Sequence, residues 1–418
     1  MQSTDKDNLI LISPKPSLVF QCVHCDSVDT KVDELLFQGI HLLAKCFCNH
    51  CGDKFFHTLP IGHDLLFPIA FDETGKKIKT DKQAELWLAN PLIKSIFENE
   101  KINVPIEKEV FEQKANAVIL NCLDNCYGHS LDKLFMFFPL KKEYAEYSII
   151  VFIPKNMRWL VPEGVSEVWS FDASLKDFGK LPINLDGEVK QNLLPRFNTV
   201  SVPEFSSRFD LSKIDWRALV KTDRFDLNKF YDANPQITFG LREDRLWHRS
   251  ALEYFLFRVF NKFKLSKKIF VWRQIQLINK TARLIKAQLP DAKFVAVGLG
   301  KKGKLISIIN DQRKKKLSAD EEMQWCKLYS TSHVVIGVHG SNMMISTALS
   351  AGFIEILPRH KIQHIAEDTY LNYSSRFTTF LGRHVDHYAS PRLVSQHAVR
   401  MIKDFSFHYK TVLNKNQE

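Results

Sequence analysis

The stretch that decides the fold is His333-Val-Val-Ile-Gly-Val-His-Gly-Ser-Asn342, which runs into Met343-Met-Ile-Ser-Thr-Ala-Leu-Ser-Ala-Gly352. The apolar first part predicts a buried strand, and the small-residue second part predicts a helix. A turn at the carboxyl end of a strand and the amino end of a helix can bind phosphate through free N–H groups. Gly340 would let a ligand approach the backbone, and Ser341 or Asn342 could cap the helix. An ordinary strand-to-helix turn with a polar cap is the alternative.

Short apolar runs alternate with helix-length segments on both sides of this motif. The predicted strands are 117–122, 147–153, 166–170, 236–240, 268–272, 293–298, 333–337 and 353–357. The predicted helices are 130–140, 246–262, 273–288, 319–330, 341–351 and 393–405. Continuous apolar strands that alternate with helices are typical of parallel βαβ units. The sequence therefore predicts an α/β fold with two Rossmann-like domains facing a cleft.

Length and charge predict how these units are divided. The chain has 418 residues, of which 45% are hydrophobic, so it is neither disordered nor collagen-like. We predict an N-terminal extension over 1–60, a Rossmann-like domain over 61–210 and a second one over 211–418, with the proline-containing stretch 172–216 as a connection. The net charge is −6 over 1–210 and +17 over 211–418. The basic half predicts an anionic partner: a nucleotide, a nucleic acid or a membrane surface.

Two cysteine knuckles lie in the predicted extension, Cys22-Val-His-Cys25 and Cys48-Asn-His-Cys51. Four thiolates at this spacing are typical of a tetrahedral zinc site, and we predict one structural zinc in a zinc-ribbon-like element. Cys46 is a further candidate ligand, and His24 or His50 could replace a thiolate. The site could be a structural staple or could recognise a nucleic acid or another partner. The acidic residues around the knuckles favour the staple, because a surface that follows phosphates should be basic.

Two motifs resemble those of a known family. The segment 337–358, which reads Gly-Val-His-Gly-Ser-Asn, a helix and then Phe-Ile-Glu-Ile-Leu-Pro, resembles the C-terminal signature of glycosyltransferase family 61. That family typically shows His-Gly-Ala-Gly-Leu, a helix and a Val-Ile-Glu-Ile strand. The segment 120–132, with Tyr127-Gly-His129, is similar to its Tyr-x-His-Trp element. The chain departs from the pattern at Ser341-Asn342, in place of Ala-Gly, and at Ser130, in place of an aromatic residue.

The resemblance implies a GT-B architecture in which the C-terminal domain binds a nucleotide-sugar donor and the N-terminal domain faces the acceptor. It further implies inverting, metal-independent transfer of a sugar to a hydroxyl of a glycan or lipid-linked acceptor, as in polysaccharide biosynthesis. No catalytic metal is then expected. The charge of the leaving diphosphate would be stabilised by cations and helix N-termini, which the basic half can supply.

These expectations select the candidate site residues. The candidate donor-binding residues are Arg242, Arg245, His339, Gly340, Ser341, Asn342 and Glu355. The two arginines follow a predicted strand and could grip phosphate, with ion pairing to neighbouring carboxylates as the alternative. Glu355 could accept a hydrogen bond from a ribose hydroxyl or form a buried salt bridge. For the base, His129 and Asp132 are three residues apart and would share a helical face, with Asp124 in reserve.

The N-terminal segment lacks the basic start and apolar run of a signal peptide. We therefore expect a cytoplasmic protein, with peripheral contact at the inner face of a membrane as an open alternative. Two other functions stay open: a nucleic-acid-binding zinc-ribbon protein and a catalytically inactive GT-B scaffold. Stabilisation by a nucleoside diphosphate would favour the transferase, salt-dependent nucleic-acid binding would favour the second function, and a scaffold should show neither.

Overall fold

A computed structural model describes residues 9–16, 18–98, 101–204, 214–365, 369–371, 373 and 375–413. The chain divides into two compact units, Met1–Ile214 and Asp215–Glu418. Each unit contains a sheet built on parallel strands, with helices between the strands.

The first unit contains thirteen strands and six α-helices within its described residues. The strands are β1 (Leu9–Ser13), β2 (Thr30–Phe37), β3 (Leu42–Cys48), β4 (Lys54–Thr58), β5 (Ala70–Asp72), β6 (Ile78–Lys79), β7 (Lys101–Ile102), β8 (Ile106–Val110), β9 (Asn116–Asn121), β10 (Tyr147–Pro154), β11 (Glu167–Phe171), β12 (Leu181–Pro182) and β13 (Thr199–Pro203). The helices are α1 (His63–Leu66), α2 (Lys82–Ala84), α3 (Asn90–Phe97), α4 (Tyr127–Phe135), α5 (Phe137–Glu143) and α6 (Ile183–Glu188).

The main sheet of the first unit has the order β1-β13-β9-β10-β11-β8. Its four central strands are parallel, and the edge strands β1 and β8 are antiparallel to their neighbours. Strands β9 and β10 are buried over nearly their whole length, which explains their unbroken apolar runs. Numbered along the chain, the parallel strands follow the order 3-2-1-4, so the topology reverses between β9 and β13.

A second, antiparallel sheet of five strands, β2 to β6, carries the cysteine knuckles. Its side chains share one apolar cluster with the parallel sheet, in which Cys48 and Phe55 are grouped with Ile119 and Trp169. The zinc-ribbon-like element therefore continues past residue 60 to β6 and is packed into the first unit.

The second unit contains six strands and eight α-helices within its described residues. The strands are β14 (Gln236–Leu241), β15 (Lys293–Gly298), β16 (Ile309–Asp311), β17 (Val334–Val338), β18 (Phe353–Leu357) and β19 (Gly382–Asp386). The helices are α7 (Trp216–Val220), α8 (Ala251–Lys262), α9 (Lys268–Lys286), α10 (Ala319–Ser330), α11 (Asn342–Leu349), α12 (Ser375–Leu381), α13 (Pro391–Lys403) and α14 (Phe405–Leu413).

All six strands of the second unit are parallel, in the order β16-β15-β14-β17-β18-β19. Numbered along the chain this is 3-2-1-4-5-6, the order of the Rossmann fold. The α/β class with parallel sheets is thus confirmed. The order reverses between β14 and β17, and in such sheets ligands bind beyond the carboxyl ends of the strands at that point.

Two predictions about elements are wrong. Residues 268–272, predicted as a strand, form the first turns of α9, because Phe270 and Val271 belong to a buried stripe that continues at Gln274 and Ile275 with helical spacing. The stretch 172–216, predicted as a connection, contains β13, which lies inside the main sheet of the first unit. Within the described part of the chain, no helix is both long and apolar enough to cross a bilayer.

Candidate functional site

The loop His339–Asn342 joins β17 to α11 at the point where the second sheet reverses its order. Gly340 adopts a φ of 145°, a conformation that favours glycine. Ser341 occupies the N-cap position of α11, but its side chain makes no capping hydrogen bond, so the expected side-chain cap is absent there. The N–H groups of Met343 and Met344 bond instead to the carbonyls of Gly340 and Ser341. The N–H groups that an anion could meet at the start of α11 are therefore those of Ser341 and Asn342.

Two arginines that follow β14 converge on this loop. Arg242 donates from Nη1 to Asn342 Oδ1 at 3.2 Å, and Arg245 donates from Nη1 to the His339 carbonyl at 3.2 Å. A Cβ atom on Gly340 would lie 2.7 Å from Arg245 Nη1 and 2.8 Å from Arg242 Nη1. The loop thus brings two guanidinium groups against a residue without a side chain.

The two acidic residues that follow β14 form ion pairs with different cations. Asp244 pairs with Arg242 through Nε at 2.8 Å, and this contact holds the Asp244 pKa below its ordinary value although partial desolvation would raise it. Glu243 pairs instead with Lys302, whose Nζ lies 2.7 Å from the carboxylate. The predicted alternative of ion pairing is therefore realised at Arg242, while Arg245 remains exposed above the loop.

Glu355 lies on β18 and is fully buried. Its Oε1 lies 2.9 Å from His339 Nδ1, and its Oε2 lies 3.1 Å from His384 Nε2. Burial alone would raise the pKa of this carboxyl, but the two imidazoles lower it below its ordinary value. This environment matches the buried-salt-bridge alternative, and the contact with Glu355 orients the His339 ring.

A second group of polar side chains gathers in the first unit at the carboxyl end of β9. Asp124 Oδ1 lies 3.2 Å from His129 Nδ1, and Asp124 Oδ2 lies 2.9 Å from Lys133 Nζ. His63, on α1, places Nε2 3.1 Å from the same His129 Nδ1. These four residues form what we call the histidine–aspartate cluster. His129 and Lys133 are one helical turn apart on α4, so they face Asp124 together.

The charges of this cluster follow from its burial. Burial alone would raise the pKa of Asp124, but Lys133 and His129 hold it well below its usual range. Burial, aided by the nearby His129, lowers the pKa of His63 to about 4. Burial would also lower the pKa of His129, but the hydrogen bond to Asp124 and its negative charge outweigh burial and raise it. At neutral pH the cluster therefore holds an ionised Asp124, a neutral His63 and one imidazole that titrates.

This geometry fixes which nitrogen of His129 can take a proton. An ionised carboxylate only accepts, so His129 Nδ1 carries the proton that faces Asp124. His129 Nε2 then offers its lone pair, and the side chain is 40% exposed. A carboxylate that orients an imidazole in this way is the arrangement of a general base.

The ligand atoms of His63, Asp124 and His129 also lie within 4.8 Å of one another, as in a metal site. The ammonium of Lys133 argues against a cation there, because it already neutralises Asp124 from 2.9 Å and would repel a second positive charge. The residues therefore suit proton transfer better than metal binding.

The structure brings together only part of the predicted catalytic set. His129 and Asp124 are in contact, whereas Asp132 is half-buried on α4 and acts on His129 through its negative charge. Sequence reasoning missed His63 and Lys133. Lys133 could have been found, because it follows His129 by one helical turn. His63 had no local signal, since only the tertiary fold brings α1 to α4.

The four knuckle cysteines lie together at one end of the antiparallel sheet, with their sulfur atoms within 4.8 Å of one another. Cys22 Sγ lies 3.7 Å from Cys51 Sγ, and Cys25 Sγ lies 3.6 Å from Cys48 Sγ. Tetrahedral zinc with Zn–S bonds of about 2.3 Å requires sulfurs about 3.8 Å apart, so the cluster is compatible with one zinc ion. Cys46 contacts the Ala44 carbonyl and lies outside this group.

No protein-family model and no curated protein matches the chain. Among solved structures, a Listeria monocytogenes protein described as a UDP-N-acetylglucosamine 2-epimerase is similar over 70% of this chain and 66% of its own, with 10% identity and a TM-score of 0.27. A structure of accessory secretory proteins 1, 2 and 3 from Streptococcus pneumoniae is similar over 88% of this chain and 60% of its own, with 10% identity and a TM-score of 0.26. The chain thus spans 66% and 60% of the lengths of these structures.

Proposed function

We propose that the protein is a glycosyltransferase that moves a sugar from a nucleotide-activated donor to a hydroxyl of a glycan or lipid-linked acceptor. The observation that carries this proposal is the convergence of Arg242 and Arg245 on Gly340 at the reversal point of a Rossmann-ordered sheet. Guanidinium groups and the start of a helix are both suited to a diphosphate. In this proposal the second unit binds the donor diphosphate, and Ser341 and Asn342 offer backbone N–H groups to it.

The first unit supplies the base. A hydroxyl of the acceptor gives its proton to His129 Nε2, while Asp124 holds the ring and stabilises the imidazolium that forms. The hydroxyl oxygen forms a bond to the anomeric carbon on the face opposite the leaving group. The bond between that carbon and the diphosphate oxygen breaks, and its electron pair leaves with the diphosphate. This single displacement inverts the anomeric configuration.

In this proposal the second unit stabilises the negative charge that develops on the diphosphate. Arg245 and Arg242 can pair with the leaving oxygens, and the start of α11 adds backbone donors. Preorganised cations of this kind stabilise a leaving group without a metal clamp, so the proposed reaction is metal-independent. The proposed zinc in the cysteine cluster would then stabilise the first unit and would take no part in the reaction.

We further propose that the protein acts in the cytoplasm, on the biosynthesis of a polysaccharide or related glycan. The division of charge supports a nucleotide partner, because the net charge of +17 lies in the half that carries Arg242 and Arg245.

A thermal-shift panel tests the proposal. The full chain is heated with UDP, GDP or CMP, and we expect one of the diphosphates to raise the unfolding temperature. Arg245→Ala should abolish most of that shift, whereas Arg400→Ala, a control at an exposed arginine on α13 that pairs with Asp404, should preserve it. Stabilisation of wild type and Arg245→Ala to the same extent would place the nucleotide elsewhere. Absence of any shift, with salt-dependent binding of nucleic acid, would favour the nucleic-acid-binding alternative.

A further inference from the structure

Helices α8 and α9, together with the turn that joins them, present apolar side chains to solvent. Near the turn the two helices pack through Phe270, whose ring centroid lies 5.6 Å from that of Phe257 and 5.2 Å from that of Phe260. Another set of large apolar residues on the same pair is exposed, including Phe263 at 65% and Trp272 at 52%. The exposed set is Leu252, Phe255, Leu256, Phe263, Leu265, Ile269 and Trp272. We call the part of it around the turn, residues 263–272, the hairpin tip.

The charged residues in the sequence around the hairpin tip are all basic. Residues 254–290 contain nine lysines and arginines and no aspartate or glutamate. The lysines nearest the turn are Lys262, Lys264, Lys267 and Lys268, and three of these four are exposed. The carboxylate that precedes the stretch, Glu253, is buried and lies 3.4 Å from Arg273. No acidic side chain of this stretch therefore offsets the positive charge of the tip.

Exposed apolar side chains surrounded by lysines are costly in water unless something covers them. The positive charge of the hairpin tip disfavours a basic partner and favours an anionic one. Among anionic partners, a nucleic acid offers phosphates and base faces, but it offers little to aliphatic side chains such as Leu265 and Ile269. An anionic bilayer offers phosphate headgroups to the lysines and hydrocarbon to the apolar side chains, and tryptophan favours the interface between the two.

We propose that the hairpin tip docks the protein on an anionic lipid surface. Phe263, Leu265 and Ile269 enter the acyl boundary, Trp272 lies at headgroup level, and the four lysines pair with lipid phosphates. This inference rests on the exposed residues of the hairpin tip. Its one link to the proposed function is that docking on a membrane would bring the protein to a lipid-linked acceptor. It holds or fails independently of whether the chain transfers a sugar.

Co-sedimentation of the full chain with vesicles tests the proposal. We expect binding to vesicles of phosphatidylcholine with phosphatidylglycerol, little binding to phosphatidylcholine alone, and release by salt. The double variant Phe263→Ser with Ile269→Ser should bind at least roughly tenfold more weakly, because both positions lose the favourable free energy of transferring an apolar side chain from water into the bilayer. The matched control is Phe111→Ser, at a phenylalanine that is 61% exposed in the first unit, and it should bind like wild type.

Several results would overturn the proposal. These are equal binding of the double variant and wild type, binding that does not depend on phosphatidylglycerol, or the absence of vesicle binding. Binding of a short nucleic-acid duplex that the same double variant loses would assign the tip to nucleic acid and would overturn it too. Circular dichroism and thermal unfolding of each variant show that the chain is folded. Lys264→Gln with Lys268→Gln provides a second test, since it removes charge at exposed positions without changing apolar packing.

Discussion

The carboxyl ends of β9 and β14 make an instructive comparison. Each strand is the first parallel strand of its unit's sheet, and each lies at the point where the strand order reverses. After β9 the chain places a buried carboxylate against an imidazole and an ammonium. After β14 it places two guanidinium groups against a glycine. In the proposed function the same topological position serves proton transfer in one unit and anion binding in the other, so topology locates a site and side chains decide its chemistry.

Loss of the zinc ligands should have the largest effect on stability, and this effect should distinguish the first unit from the second. Cys22→Ser with Cys51→Ser removes two thiolates of the cysteine cluster, and we expect loss of zinc and a destabilisation of several kcal/mol confined to the first unit. Elemental analysis should give about one zinc per chain for wild type. Cys126→Ser, outside the cluster, is the control. A native protein without metal, or a variant with unchanged unfolding, would contradict the assignment.

Removal of the base should have the next largest effect. His129→Ala should lower the transfer rate by roughly 10²–10⁴-fold, because it removes the proposed base. Its affinity for a nucleoside diphosphate should equal that of wild type, since the change lies in the first unit. Steady-state kinetics and a nucleotide titration measure the two quantities. Asp132→Asn is the comparison variant, and it should lose much less activity. Wild-type turnover in His129→Ala would remove the cluster from the mechanism.

A side chain on Gly340 should weaken nucleotide binding in the second unit. Gly340→Ala combines a φ of 145° with a Cβ that would contact both guanidinium groups, so the arginines must move away from the loop. We expect nucleotide binding roughly tenfold weaker or worse, in line with the loss of about one charge-assisted contact. Gly187→Ala is the matched control, because a Cβ there meets nothing within 4 Å. Unchanged nucleotide affinity in Gly340→Ala would argue against the loop as the binding site.

The smallest expected effect is a shift in pH dependence. In the proposed mechanism His129 acts as a base only when it is neutral, and Asp124 raises the pKa of its imidazole. Transfer should therefore increase as pH rises through an inflection above 6.5, the ordinary histidine value. Asp124→Asn removes the negative charge, so the inflection should move to lower pH. A pH–rate profile of wild type and the variant measures this. An inflection that stays in place would exclude Asp124 from this role.

The sequence predicted those features that depend on local pattern. The apolar runs of β9, β10, β14, β15, β17 and β18 are unbroken because these strands are buried, and their positions match the predictions within one or two residues. The two knuckles could be recognised because zinc sites impose a short ligand spacing. The residues after β14 and β17 could be named because ligands bind at the carboxyl ends of parallel strands.

Features that depend on tertiary contacts were missed. Ile269 and Trp272 have strand-like composition, yet the segment from 268 is helical because its buried stripe matches a helix. Arg313 belongs to a basic run typical of a solvated surface, but it is buried and bonded to Asp311 and to the Lys302 carbonyl. His63 joins the histidine–aspartate cluster from a segment 66 residues away from His129. No local pattern distinguishes such residues from ordinary ones.

We propose that the second unit binds the donor diphosphate and that the first unit takes the proton of the acceptor hydroxyl. Calorimetric titration of the best-stabilising nucleoside diphosphate into wild type, Arg245→Ala and His129→Ala tests this most directly. We predict that Arg245→Ala binds roughly tenfold or more weakly, for loss of a charge-assisted contact, and that His129→Ala binds like wild type. Equal affinity of wild type and Arg245→Ala, or a loss of affinity only in His129→Ala, would contradict the account.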